Sequence, residues 1–306
     1  MGGVLEGFAT IAIVIGCGAL LAHLGIIDLK AQRSLSLTSF YLASPALLVT
    51  VLEDADATKV LSGPLVATAG GVVITAALLV AVAVWRGLDA GTSVIAALCS
   101  AYVNAGNLGI PIAAYALGDA SLIVPALLMQ LLVLQPLALT VLDVMTSPTR
   151  PSLTKVLTRP VTNPLTIGSL LGLVLSLTDT ELPRTLHAPL ELIGGMAVPA
   201  MLIAYGVALR LGPTPGRGVT PAALGVVTVL KMVVQPLVAY LIGRFAVGLD
   251  AEELFAVTLL SALPTAQNVF VIALRYDRGV LLARDAIFVS TLASAPVALV
   301  ISALLA

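Results

Sequence analysis

Ala101-Tyr102-Val103-Asn104-Ala105-Gly106-Asn107-Leu108-Gly109-Ile110-Pro111-Ile112 is the stretch on which the reading of this chain turns. It sits inside a long apolar run, residues 92–117, yet carries two glycines, two asparagines and a proline. Pro111 has no N–H, and its ring clashes with the carbonyl four residues back. The residue before it is pushed out of helical geometry. The pattern predicts an unwound segment between two half-helices. A half-helix starting near Pro111 presents unpaired N–H groups and a positive dipole end, which suits an anion. Asn104 and Asn107 can each donate and accept hydrogen bonds without adding charge. Taken alone, the stretch also fits a proline kink whose Gly and Asn are satisfied by helix packing.

A second interrupted run favours the functional reading. Leu263-Pro264-Thr265-Ala266-Gln267-Asn268-Val269-Phe270 again sets a proline and amides within an apolar helix. Crossing a bilayer takes about 20 apolar residues. Ten runs qualify, at about 4–25, 34–52, 62–85, 92–117, 121–143, 163–178, 189–209, 219–245, 252–274 and 284–305. The interrupted runs are the fourth and the ninth, at corresponding places in two sets of five. Paired broken helices in inverted repeats are the best sequence pointer to a transporter's binding site. Candidate site residues are therefore Asn104, Asn107, Gly109, Pro111, Pro264, Thr265, Gln267 and Asn268. Pro45 and Pro199, and Pro136 and Pro296, also fall at matching places in the two halves.

The rest of the composition agrees. Only 10% of the 306 residues are charged, against about 25% in soluble domains, and mean hydropathy is +1.10. The solvent of such a chain is lipid, and each span should be helical unless protein shields it. Residues 1–146 form a first repeat of five helices, 147–160 a short Pro- and Arg-bearing cytoplasmic linker, and 161–306 a second repeat. Odd numbers of spans on either side give the halves opposite orientation. With the N-terminus outside, eleven of the fifteen Lys and Arg fall in inner loops, among them Arg210, Arg275, Arg278 and Arg284. Three fall outside, and Lys231 lies within a span. That bias obeys the positive-inside rule with both termini outside. The first run lacks a basic flank and reads as a span rather than a cleaved signal.

Several function classes are excluded. A net charge of −1 makes no electrostatic case for nucleic acid. Cys17 and Cys99 read as small core hydrophobes. With two histidines and no ligand spacing, no metal or cofactor is expected. Intramembrane catalysis needs paired acids, a Ser/His pair or a metal cluster, whereas the spans offer amides and one lysine. Lys231 stands mid-span, where a cation costs about 2.5–3.5 kcal/mol on insertion scales. Gln130, Gln135 and Gln235 are its available polar partners. Two roles stay open: attracting an anionic substrate, or filling a place that binds a cation in related carriers. Tyr102, Tyr115 and Tyr205 read as packing residues or interfacial anchors rather than ligand contacts.

At these residues the chain resembles the auxin efflux carrier family, which holds the plant PIN carriers and bacterial malonate- and malate-type permeases. The resemblance is carried by Tyr41 through Leu48 around Pro45, by Asn104 through Gly109-Ile110-Pro111, and by Asn163-Pro164-Leu165. It continues at Ala197-Val198-Pro199, at Lys231 followed by Pro236, and at Leu263-Pro264 through Asn268. It covers nearly the whole chain. It implies an all-α membrane protein of ten transmembrane helices in two inverted five-helix repeats, with broken helices four and nine crossing. This fold is also similar to sodium/bile-acid symporters and sodium/proton antiporters. Spans one, two, six and seven would form a dimerising scaffold, and the others a moving transport domain. The implied function is elevator-type carriage of small carboxylates across the bacterial inner membrane, with export driven by the membrane potential. The alternative is a cation-coupled symporter of the bile-acid type. Related ion-coupled carriers use acids in the transport domain, and none lies within the third run, which speaks against coupling to sodium or protons.

Overall fold

A computed structural model describes residues 2–53, 62–109, 112–113, 117–118, 120–145 and 164–305. The expected linker, Pro111, Tyr115 and the side chain of Asn107 lie outside what is described. The elements are α1 (Gly2–His23), α2 (Leu29–Glu53), α3 (Gly63–Trp85), α4 (Ala90–Ala101), α5 (Pro125–Met145) and α6 (Pro164–Leu177). Then come α7 (Arg184–Leu211), α8 (Pro221–Val247), α9 (Ala251–Ser261), α10 (Asn268–Tyr276) and α11 (Val280–Leu305). Among the described residues, six of these helices are long and apolar enough to cross a membrane: α2, α3, α5, α7, α8 and α11. Shorter apolar helices are Ala9–His23 within α1, α4 and α6. Large apolar side chains such as Trp85, Leu192 and Phe245 are exposed. An outer surface of that kind belongs in lipid, and the chain is an integral membrane protein. Cys99 is buried, but Cys17 is exposed, not in the core as its apolar setting suggested. In a membrane helix the outward face is apolar too, so an apolar neighbourhood in sequence does not distinguish core from lipid.

Prolines shape the long helices. Three times a five-residue π turn precedes a proline: Ser39–Ala43 before Pro45, Gln130–Leu134 before Pro136, and Leu230–Val234 before Pro236. In each, the residue just before the proline donates its N–H five residues back, as Gln235 does to the Leu230 carbonyl. The wider turn moves the backbone away from the proline ring and lets the helix continue as a bend.

Helix packing sorts into two groups. In the first, α1 packs on α7, α2 on α6, and α2 on α7. Small residues bring these backbones together. A Cβ on Gly206 would overlap the Ile15 carbonyl oxygen of α1, and one on Gly172 would sit 2.7 Å from the Val49 oxygen of α2. In the second group α3 packs on α4 and α8, α8 on α9, and α11 on α9 and α10.

The same tetrapeptide, Gly-Leu-Asp-Ala, opens α4 (residues 87–90) and α9 (residues 248–251). Both glycines have positive φ, +66° and +75°, and end the preceding helix. Both aspartates cap the next one, Asp89 accepting from the Thr92 N–H at 2.9 Å and Asp250 from the Glu253 N–H at 2.9 Å.

Arg284, counted above among loop cations, is instead buried beside Asp285. Its Nε donates to Asp285 Oδ1 at 2.7 Å, and its Nη1 to the Pro213 carbonyl at 2.7 Å. Asp285 Oδ2 accepts the Gly216 N–H at 2.8 Å, so the α7–α8 loop is tied to the start of α11. A burial of this kind is set by a loop folding over the helix end, which no local pattern announces.

Candidate functional site

Two helices stop at the same place. α4 ends at Ala101 and α9 at Ser261. Beyond them the chain is extended, and Val103 and Thr265 form one antiparallel β-bridge. The Asn104 N–H donates to the Pro264 carbonyl at 2.8 Å, and the Ala266 N–H to the Tyr102 carbonyl at 3.2 Å. The break in the fourth run therefore begins at Tyr102, well ahead of Pro111, around which the sequence pattern centred the unwinding, and a π turn over Ala105–Gly109 follows it. The reason is reciprocal pairing. Each extended strand satisfies the other's backbone groups, so the break lies where the two chains cross.

A broken helix leaves its last carbonyls without intrahelical donors. Here side chains supply them. Thr265 Oγ1 donates to the Cys99 carbonyl at 2.6 Å, and Gln235 Nε2 to the Ala101 carbonyl at 3.0 Å. Lys231 Nζ donates to the Ser261 carbonyl at 3.0 Å and to Gln235 Oε1 at 2.6 Å. Lys231 is fully buried, in the π turn of α8. Its amino group thus closes the end of α9 directly and the end of α4 through Gln235. Two helix C-termini converge on it, each carrying partial negative charge.

On the other side of the crossing, amides gather. Asn104 Nδ2 donates to Gln267 Oε1 at 2.8 Å, joining the two breaks. Gln130 Oε1 accepts the Val103 N–H at 2.7 Å. Gln135 Oε1 accepts from the Tyr102 hydroxyl at 3.2 Å and from Asn268 Nδ2 at 3.4 Å. Gln135 Nε2 and Asn268 Oδ1 are buried and have no hydrogen-bond partner among the described residues. Asn268 is the first residue of α10.

These groups floor a cavity of about 230 Å³ between the two packing groups. Phe40 and Leu48 of α2, Leu165 of α6 and Met201 of α7 wall it on one side. Leu131 of α5 and Ile272 of α10 wall it on the other. No charged side chain lines it among the described residues. An apolar cavity with a few converging amides is the form of a small-molecule site.

Of the residues singled out in the sequence, Asn104, Gln267, Asn268, Gln130 and Gln135 meet at this cavity. Thr265 and Pro264 are in the crossing itself, bonded to the opposite break. Gly109 lies buried behind it, where a Cβ would sit 2.8 Å from Ile123. Lys231 is on the far side of the crossing and does not line the cavity. Tyr102 was read as packing but lines the cavity and holds Gln135. The signal that could have raised its standing is its place next to the break.

A family model described as membrane transport protein matches residues 4–302. Over 132 residues the chain is 30% identical to a protein of Rhizobium meliloti (strain 1021) named "Putative malonate transporter". That stretch covers 43% of this chain and 40% of the relative. The match of the family model runs through both packing groups and both broken helices, and the chain belongs to this membrane transport family, the auxin efflux carriers.

Proposed function

We propose that the protein carries small carboxylates across the membrane by an elevator-type alternating-access mechanism. The observation that carries the reading is the crossing of two broken helices beneath an uncharged, amide-floored cavity. A substrate carboxylate would take the Gln135 Nε2 donor, which has no partner among the described residues, while Asn268 Nδ2 holds the Gln135 oxygen in place. The relative's printed name, a malonate transporter, points to the same substrate class.

Ten membrane crossings in two inverted repeats underlie the mechanism. The packing pattern supports this, because it is unchanged when the halves are exchanged. α1 on α7 becomes α6 on α2, α3 on α4 becomes α8 on α9, and α2 on α7 maps onto itself. The repeated Gly-Leu-Asp-Ala supports it as well, and Asn107 and Asn268 each lie eighteen residues beyond their cap aspartate. The first group, α1, α2, α6 and α7, acts as a scaffold and mediates a homodimer through α2 and α7. The second group moves. Native-mass measurement in nanodiscs tests the dimer, and a monomer there rejects it.

Lys231 serves as a built-in cation at the paired helix ends, so no sodium is needed. Export of an anion is then driven by the inside-negative potential, worth about 2.3 kcal/mol per charge per 100 mV. The test is counterflow in proteoliposomes loaded with malonate, malate or indole-3-acetate. Saturable exchange with choline replacing sodium is expected. Uptake that requires a sodium gradient favours the cation-coupled symporter, and linear, non-saturating flux rejects a carrier.

A further inference from the structure

Asn268, Val271 and Ile272 face the cavity from one side of α10. Arg275 follows at the next position of that helical stripe, seven residues after Asn268. Its guanidinium carbon lies 5.1 Å from the ring centroid of Tyr41 on α2 and 5.4 Å from that of Tyr276. Tyr41 follows Phe40, which lines the opposite wall. The Arg275–Tyr41 contact therefore bridges α10 and α2, the helices that carry Ile272 and Phe40 of the two walls, one step beyond the cavity lining itself. Tyr276 is fixed through its hydroxyl, which donates to Asp143 Oδ1 at 2.9 Å.

Two features suit Arg275 to a ligand. Ring faces hold a guanidinium by its plane and leave its N–H fork unused. The Arg275 Nε is in fact buried and has no hydrogen-bond partner among the described residues. A planar, bidentate acceptor is what such a fork matches best, and a carboxylate is one. A rise of 1.5 Å per residue puts Asn268 roughly 10 Å deeper along the same stripe.

We propose that Arg275 is the capture site for the carboxylate at the mouth of the cavity, ahead of the amide floor. The inference rests on the carboxylate-carrier reading and adds a second, charged station to it. The anion meets the guanidinium first, where attraction outweighs the loss of water. It then passes along the apolar face of Val271 and Ile272 to Gln135 and Asn268. Tyr41 and Tyr276 hold the guanidinium across the opening, so that its fork is preorganised.

The test uses the full-length protein in proteoliposomes, with initial rates for malonate, malate and indole-3-acetate. Arg275→Gln should raise KM at least tenfold for the carried acid while the maximal rate stays within twofold. Arg275→Lys should recover part of the loss. In the unaltered protein, that acid should slow phenylglyoxal modification of Arg275 at least threefold, read by mass spectrometry, whereas chloride at equal ionic strength should not. An unchanged KM in Arg275→Gln, or no protection of Arg275, overturns the proposal. If Arg275→Gln does not fold, the protection experiment decides. An unaltered protein that moves none of the three acids rejects the carrier reading itself, and a carrier whose KM ignores Arg275 rejects only this inference.

Discussion

Replacing Lys231 by Met isolates what the buried amino group contributes. The substitution removes the donor to the Ser261 carbonyl at 3.0 Å and to Gln235 Oε1 at 2.6 Å. A buried acceptor left unsatisfied costs about 1–3 kcal/mol. Two of them would cost about 2–6 kcal/mol if nothing relaxed. Against that, a cation no longer has to be held in an apolar span, a relief of about 2.5–3.5 kcal/mol. Methionine fills nearly the same volume, so no large cavity opens. The terms largely offset each other, and the variant should fold with a melting temperature near that of the unaltered protein. Transport should nevertheless fall at least tenfold. The helix ends at Ala101 and Ser261 would then face each other with no positive group between them, loosening the crossing that positions the amides. Thermal unfolding in detergent measures the first expectation. The second is measured by liposome uptake under a clamped potassium diffusion potential, with choline for sodium and a pH-gradient control. Full activity in the Met variant, or strict dependence of the unaltered protein on a sodium gradient, refutes the reasoning. A melting temperature that falls steeply would instead make Lys231 a structural residue.

Asn104→Ala and Asn268→Ala should each weaken carboxylate binding by about 1–3 kcal/mol, because a buried partner loses its mate; isothermal titration showing unchanged affinity in both removes them from the site. Gly206→Ala should lower the melting temperature, since its Cβ would overlap the Ile15 carbonyl, whereas Gly16→Ala, with nothing within 4 Å of the new atom, should not. Equal melting temperatures for that pair would mean that the α1–α7 crossing gives way freely. Gln130→Ala should destabilise by about 1–3 kcal/mol by orphaning the buried Val103 N–H. Faster hydrogen exchange confined to residues near 103 and 265 would locate the damage, and unchanged exchange there would contradict it.

The sequence by itself determined that this chain lives in a membrane and is helical, because lipid forbids unpaired backbone and 59% of the residues are hydrophobic. It also marked that the fourth and ninth runs break, since a proline amid amides interrupts an apolar helix, though not the residue at which the fourth run does so. The twin Gly-Leu-Asp-Ala, which ends one helix and caps the next, is legible in the sequence as well. What the local pattern could not decide is which groups meet across the fold. Val103 pairs with Thr265, 162 residues away, and the break starts at Tyr102 because its backbone partners are there rather than because Pro111 follows. The amide side chains of Asn104 and Gln267 find each other, and Lys231 turns away from the cavity toward the Ser261 carbonyl. Arg275, which charge counting assigned to an inner loop, ends over the Tyr41 ring of α2. Short-range sterics and solvent are written along the chain, residue by residue. The pairing of distant donors and acceptors depends on how two packing groups close on each other, and only the tertiary structure supplies that.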